Sequence, residues 1–243
     1  MYKLLGDTGR RIDCLQKIHK LADGLVIGFA GSVKLGFDAL DLVKERLDKK
    51  PHLEFSNSER MYDWFRRAFR RVFEDPKNEK QKVLGVEYLI CHKQICAQSL
   101  HGIRTAIVAF KSKEFSPEEC PDNGLISVGK SNHLVKAVES RIINLKNDLN
   151  LLITSIIGMN RFSSDLSVEL RKDLRQRPII GVSEYLMSAI LDSNVTRIQK
   201  ANLITDRAYG REEHSYEPET VADYGSFLEI SKKLSASAEC AIC

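Results

Sequence analysis

The chain has 243 residues, 43% of them hydrophobic and 29% charged, with 14 glycines and 6 prolines, a globular composition that excludes a disordered or collagen-like chain. Lysine and arginine number 37 against 33 aspartates and glutamates, a formal charge of +4, too small over this length to mark a nucleic-acid binder by bulk charge. One large domain fits the length, so 1–243 is read as a single domain in which 209–243 forms a polar loop and C-terminal tail.

Tyr2–Leu5 is a short candidate strand. Cys14–Leu21 alternates in part, and the apolar run Leu25–Gly31 is too brief for a helix; with Ala22-Asp23-Gly24 between them, the pair predicts a β-hairpin. Beyond Gly31, the residues Leu35, Ala39, Leu42, Val43 and Leu47 recur at three- and four-residue steps, which predicts an amphipathic helix capped by Ser32 and stopped by Pro51. A second helix is expected over Glu59–Glu74, where Met61, Phe65, Ala68, Phe69, Val72 and Phe73 make an apolar stripe; Ser58 is its expected cap and Asp75–Asn78 closes it.

Three strand-like runs follow, Val86–Ala97, Arg104–Lys111 and Leu125–Gly129. Helical periodicity then holds from Ser131 to Met159, in one helix or two, and again between Ser164 and Arg175. Val182–Ile190 and Val195–Ile204 flank Asp192-Ser193-Asn194 as a second hairpin. Tyr209–Thr220 is polar, and Tyr224–Leu234 is expected to carry a short helix. Runs of strands followed by runs of helices predict layered α+β packing rather than βαβ alternation.

No apolar run approaches the ~18–20 residues that span a bilayer, and the N-terminal stretch lacks the apolar core of a signal peptide, so a cytoplasmic protein without membrane contact is expected. Cys14, Cys91, Cys96, Cys120, Cys240 and Cys243 are spread irregularly, and reduced thiols are the default. The closing Cys240-Ala241-Ile242-Cys243 matches both C-x-x-C and C-a-a-X spacing, but one thiol pair makes no four-ligand zinc site and cysteine is an unusual final residue for prenylation. The histidines show no metal-ligand spacing, so neither metal nor cofactor is expected. Arg60, Arg66, Arg67, Arg70 and Arg71 beside Trp64 and Phe65 read as a solvated helix face rather than a nucleic-acid patch.

The segment Gln16–Ser32 resembles the proteasome β-subunit family and its bacterial relatives. There, a strand K-[VI]-x-[KR]-L, here Lys17-Ile18-His19-Lys20-Leu21, turns into a strand ending A-G-[GS], here Ala30-Gly31-Ser32, and an amphipathic helix follows. Leu125–Ser131 resembles the family's I-x-[SC]-[IV]-G-S-G segment, and Phe110–Phe115 stands where relatives carry a strand and loop. The resemblance covers most of the chain, most strongly Gln16–Arg46 and next Leu84–Ser140.

It implies the N-terminal nucleophile (Ntn) hydrolase fold, a four-layer αββα sandwich of two antiparallel sheets. In that family a threonine at the first position of the mature chain attacks an amide carbonyl and an acyl-enzyme is hydrolysed. A backbone N–H at the A-G-[GS] turn stabilises the oxyanion, a contribution of about 2.7–4 kcal/mol for one such donor in other enzymes. Carried over by motif, Gly31 is the oxyanion residue, Phe29 and Val33 line the substrate pocket, and Asp7 helps hold the catalytic lysine and threonine. Lys130 stands at the substrate site where relatives place the serine of G-S-G, and the family's catalytic lysine falls on Ile12, beside Arg10 and Arg11. Only six residues precede Asp7, so the family's first strand is expected to be missing, and Met1-Tyr2 offers no hydroxyl nucleophile. Two functions follow from the resemblance: a threonine-type peptidase or amidohydrolase if a nucleophile strand lies upstream, or an inactive homologue serving as an assembly or peptide-binding subunit. Either implies a peptide or amide ligand and a homo-oligomer.

Overall fold

The computed structural model describes residues 3–5, 11–13, 15–49, 57–95, 103–121, 126–129, 170, 176, 187–191, 196–200 and 221–236. In chain order its strands are β1 (Lys3–Leu5), β2 (Arg11–Asp13), β3 (Ile18–Ala22), β4 (Leu25–Gly31), β5 (Val86–Ile95), β6 (Ile103–Lys111), β7 (Pro117–Glu119), β8 (Met187–Leu191) and β9 (Thr196–Lys200). Its helices are α1 (Val33–Lys49), α2 (Ser58–Glu74) and α3 (Tyr224–Ala236), with a 3₁₀ segment at Pro76–Leu84. Two compact units result, one of Ile18–Asn132 with Leu191–Arg197, the other of the remaining chain.

The first unit is built on the predicted hairpin. Asp23-Gly24 reverses the chain, and Gly24 takes φ +75°, a left-handed conformation that glycine adopts without steric cost. Its carbonyl accepts from Lys93 N–H at 2.9 Å and its own N–H donates to Thr196 Oγ1 at 2.9 Å. From this hairpin grows a five-stranded antiparallel sheet in the order β3-β4-β5-β6-β7. Alternate side chains fall on opposite faces. Leu25, Ile27 and Phe29 stand opposite His92, Ile90 and Tyr88, which stand opposite Ala106, Val108 and Phe110. All nine are buried.

Both helices cover that face. Phe69 of α2 stacks on Tyr88 with ring centroids 3.9 Å apart, and Tyr88 Oη donates to the Leu35 carbonyl of α1 at 3.0 Å. Phe65, Phe110 and Phe115 complete the aromatic cluster around Phe69. Among the described residues this unit has a helical layer on one sheet; they do not include the second sheet of the expected four-layer sandwich.

Ser32, 3% exposed, caps α1, its Oγ accepting from Leu35 N–H at 3.4 Å. Phe37 and Leu40 join the predicted stripe, while Leu42 is only half-buried. For α2 the expected cap is displaced by one residue: Asn57 Oδ1 accepts from Arg60 N–H at 3.0 Å, and Ser58 is the first helical residue. The 3₁₀ segment after α2 is pinned by Asn78, 2% exposed, which donates to the Val72 carbonyl at 3.0 Å and to Asp38 Oδ2 at 3.1 Å.

In the other unit β1 pairs antiparallel with β2, Lys3 opposite Asp13, and Leu15 bridges Val221. The tail helix forms as α3, capped by Asp223, whose Oδ1 accepts from Ser226 N–H at 2.8 Å. β8 and β9 pair with each other, Leu191 and Thr196 belonging to the first unit, and the turn predicted at 192–194 lies outside the described residues. The helices expected over 131–159 lie outside the described residues.

Candidate functional site

The last residue of β4 is the centre of the candidate site. Gly31 has φ +91°, and a Cβ built on it would lie 2.6 Å from the Gly85 carbonyl oxygen and 3.1 Å from Val86 Cα. Both obstacles are backbone, so only glycine fits, on conformational and on steric grounds. Ser32 N–H, immediately after it, donates to the Gly85 carbonyl at 2.9 Å.

That bond fixes the polarity of the ladder. In an antiparallel pair, directly opposed residues alternate between hydrogen-bonded and non-hydrogen-bonded. Ser32 bonds Gly85 and, at the other end, Lys93 N–H bonds the Gly24 carbonyl; the register sets Gly31 opposite Val86 and Ala30 opposite Glu87. Even-numbered residues of β4 therefore bond β5, and Gly31 sits at a non-bonded position. Its N–H projects from the opposite edge of β4, beyond Gly28, the last residue of β4 that β3 pairs. Gly31 itself is exposed. An exposed backbone donor at a strand-to-helix turn is a suitable acceptor site for a carbonyl or oxyanion oxygen.

The second motif singled out in the sequence comes to the same place. A Cβ on Gly129 would stand 2.7 Å from Ala30 Cβ, one residue from Gly31, and Gly129 has φ +73°. Its N–H donates to Glu87 Oε2 at 2.6 Å. Residues 126–128, part of the strand predicted over Leu125–Gly129, carry no ladder.

Phe29 is 4% exposed and lies on the helix side of the sheet, its ring 5.4 Å from that of Phe37 and 6.3 Å from that of His19. A Cβ on Gly36 of α1 would lie 2.3 Å from the Phe29 ring, so the ring fills the space that Gly36 vacates. Val33, the first residue of α1, is half-buried two positions after Gly31. Asp7 and Lys130 lie outside the described residues.

Sequence reasoning passed over Lys17. It directly precedes β3, and burial pushes its amine below the ordinary lysine range, favouring the neutral form. The signal was present, since Lys17 opens the K-[VI]-x-[KR]-L segment, but the residue type alone does not reveal desolvation. Cys91, on the face of the sheet away from the helices, is the contrary case: burial pushes its thiol up to about 12, which leaves it an inert thiol near neutral pH.

The arginines of α2 border an open cleft of about 570 Å³ lined by Arg67, Arg70, Arg71, Glu74, Asp75 and Pro76. Arg67 pairs with Asp63 at 3.0 Å and Arg70 Nε donates to the Glu114 carbonyl at 3.1 Å. The charges are of both signs. Among the described residues, no group of three or more His, Cys, Asp and Glu side chains is placed to hold a metal ion, and no helix is long and apolar enough to cross a membrane.

No family model matches the sequence, and no curated protein matches it. Solved structures do. Anbu from Hyphomicrobium sp. strain MC1 superposes with a TM-score of 0.51 at 10% identity, over 98% of this chain and 91% of that one. Anbu (ancestral beta-subunit) from Yersinia bercovieri gives 0.49 at 12% identity, over 97% and 87%. The chain shares the fold of Anbu. At 10% identity the likeness is one of fold, and it spans nearly the whole of both chains.

Proposed function

We propose that the protein is a proteasome-like Ntn hydrolase of the peptidase or amidohydrolase type, with the turn at Gly31 as its carbonyl-binding element. The reading rests on one observation: Gly31 is exposed, held in a glycine-only conformation, and has an N–H that the β4–β5 ladder does not use. The shared fold with Anbu agrees with the proteasome-β resemblance of Gln16–Ser32 and supports the reading from a separate direction.

In this reading a substrate amide presents its carbonyl to Gly31 N–H, and the donor gains strength as negative charge develops on oxygen. Val33 borders the side chain preceding the scissile bond, and Phe29 supports the turn from beneath. The resemblance gives Asp7 the part of helping to hold the catalytic lysine and threonine, and Lys130, next to Gly129 in sequence, meets the polar end of the substrate. The nucleophile of this reading is a threonine at the start of the mature chain, on a strand that would have to lie upstream of Met1.

The test is labelling of the protein, purified from its native cell, with a peptide that carries a threonine-directed electrophile such as a β-lactone. The expected result is one covalent adduct, mapped by mass spectrometry to an N-terminal threonine and abolished by its replacement with alanine. An unlabelled protein under conditions that label an active proteasome overturns the catalytic reading.

A second reading, a non-catalytic subunit that assembles with further copies, is favoured by a different observation. Val83 and Leu84, 90% and 74% exposed, form an apolar pair at the end of the 3₁₀ segment, directly before Gly85. Adjacent exposed apolar side chains of this size favour a protein contact.

A further inference from the structure

A group of polar side chains meets at the other end of the sheet from Gly31. His92 stands opposite Leu25, the first residue of β4, and is 1% exposed. Its Nδ1 lies 3.2 Å from the Lys93 carbonyl oxygen, which can only accept, so Nδ1 carries a proton. In the neutral ring Nε2 is then an acceptor, and it lies 3.0 Å from Tyr62 Oη of α2. Tyr62 Oη accepts from Gln94 Nε2 at 3.1 Å, and the same amide donates to Ser58 Oγ at 2.7 Å. On its far side Tyr62 Oη lies 3.4 Å from Glu119 Oε2 of the edge strand β7, whose Oε1 accepts from Arg104 at 3.1 Å.

Tyr62 has one hydroxyl proton and two acceptors. While His92 is neutral, the shorter bond goes to Nε2. Once His92 takes a proton from solvent, Nε2 becomes a donor, and the hydroxyl must accept from it and turn its own proton to Glu119. We propose that Tyr62 is a proton-controlled two-way link, donating to His92 when the ring is neutral and to Glu119 when it is charged, so that acidification ties the start of α2 to the edge strand β7.

Among the described residues, the groups that face His92 are few. α2 supplies Tyr62, with Ser58 reached through Gln94; β7 supplies Glu119, with Arg104 of β6 behind it; Leu25 of β4 and Ala106 of β6 are apolar neighbours in register. Burial pushes His92 below the ordinary imidazole range, opposed by its bond to the Lys93 carbonyl and by the charge of Glu119. Burial also pushes the Tyr62 hydroxyl up, with the Glu119 charge in the same direction, so that it keeps its proton in both arrangements.

The test is a pH titration of the full chain, labelled with ¹³C-histidine, with the His92 signal assigned from His92→Gln. The His92 midpoint is expected below about 6.5, and the Cys120 amide, which donates to the Ile107 carbonyl, should gain protection beyond the intrinsic slowing of exchange in acid as that midpoint is crossed. Glu119→Gln, a change at an exposed edge position, should shift the midpoint downward because a stabilising negative charge is lost. Tyr62→Phe should leave the protection factor of that amide, exchange corrected for its intrinsic rate, independent of pH over that range. A His92 signal that stays constant down to the pH of unfolding overturns the proposal, and so does an unshifted midpoint in Glu119→Gln. Should Tyr62→Phe fail to fold, the Glu119→Gln result decides.

Discussion

At Gly31 two constraints act on one residue, a left-handed φ of +91° and a backbone oxygen 2.6 Å from any added Cβ. Gly31→Ala should cost about 1–3 kcal/mol of stability through backbone strain, read as a lowered urea midpoint, and should abolish reaction with a peptide electrophile because the N–H is re-aimed. Lys17 makes the opposite prediction. Its folded-state proton affinity is lowered, so between that value and the unfolded value of about 10.4 the unfolded chain holds the extra proton and stability rises with pH. Lys17→Met should therefore flatten the pH dependence of the urea midpoint over that window. His92 carries the same sign at lower pH: neutral in the fold, it is protonated in the unfolded chain below about 6.5, so stability declines on acidification until the buried ring also protonates. Equilibrium unfolding at pH 7.5 and 5.5 checks this, and His92→Gln should flatten the difference. Gly31 was legible in sequence because glycine, a preceding strand and a following helix announce such a turn. Lys17 and His92 were not, since desolvation belongs to the packed molecule and leaves no mark on residue type.

Elements were legible where burial imposes a period. The β3–β4 hairpin, α1, α2, β5, β6 and α3 all follow alternation or a three- and four-residue step that one apolar face dictates. β7 was missed because Pro117-Glu118-Glu119 is exposed throughout and has no apolar face. It is a strand only by its bonds to β6, and proline with two glutamates is the composition of an edge guarded against further pairing. Residues 126–128 failed in the other direction, β-like in composition but without a ladder. Contacts between elements were also invisible, and two of them are open to test. Gly36 lets α1 settle on the Phe29 ring, and with 2.3 Å available to a Cβ Gly36→Ala should destabilise by about 1–3 kcal/mol through overpacking. Asn78 joins Asp38 of α1 to the Val72 carbonyl of α2 and accepts from Lys34 Nζ at 2.8 Å. Its replacement by alanine removes these bonds, with Lys34 and Asp38 still paired to each other, at a cost of about 1–3 kcal/mol. Thermal melts with the core aromatic signal as probe should show both losses.

For the whole molecule, one short motif and the order of elements carried more than overall identity does, because a fold tolerates any sequence that preserves its buried faces and its few glycine-only turns. That is how a chain 10% identical to Anbu from Hyphomicrobium sp. strain MC1 keeps its fold over 98% of its length. The same tolerance makes exposed apolar residues informative, since nothing in the fold requires them. Val83 and Leu84 are exposed to 90% and 74%, on a segment whose neighbours Lys80 and Lys82 are charged. If they form a contact between copies, the wild-type chain should run as an oligomer in size-exclusion chromatography with light scattering. The double change Val83→Asp, Leu84→Asp should then lower the measured mass. Because these side chains bury almost nothing within the chain, the melting temperature of the separated subunit should change little, in line with about ±0.5 kcal/mol for surface substitutions. An equal mass for both proteins would show that the pair serves no such contact; a lower mass with an intact fold places the interface at the segment that leads into Gly85, the residue whose carbonyl holds the turn at Gly31.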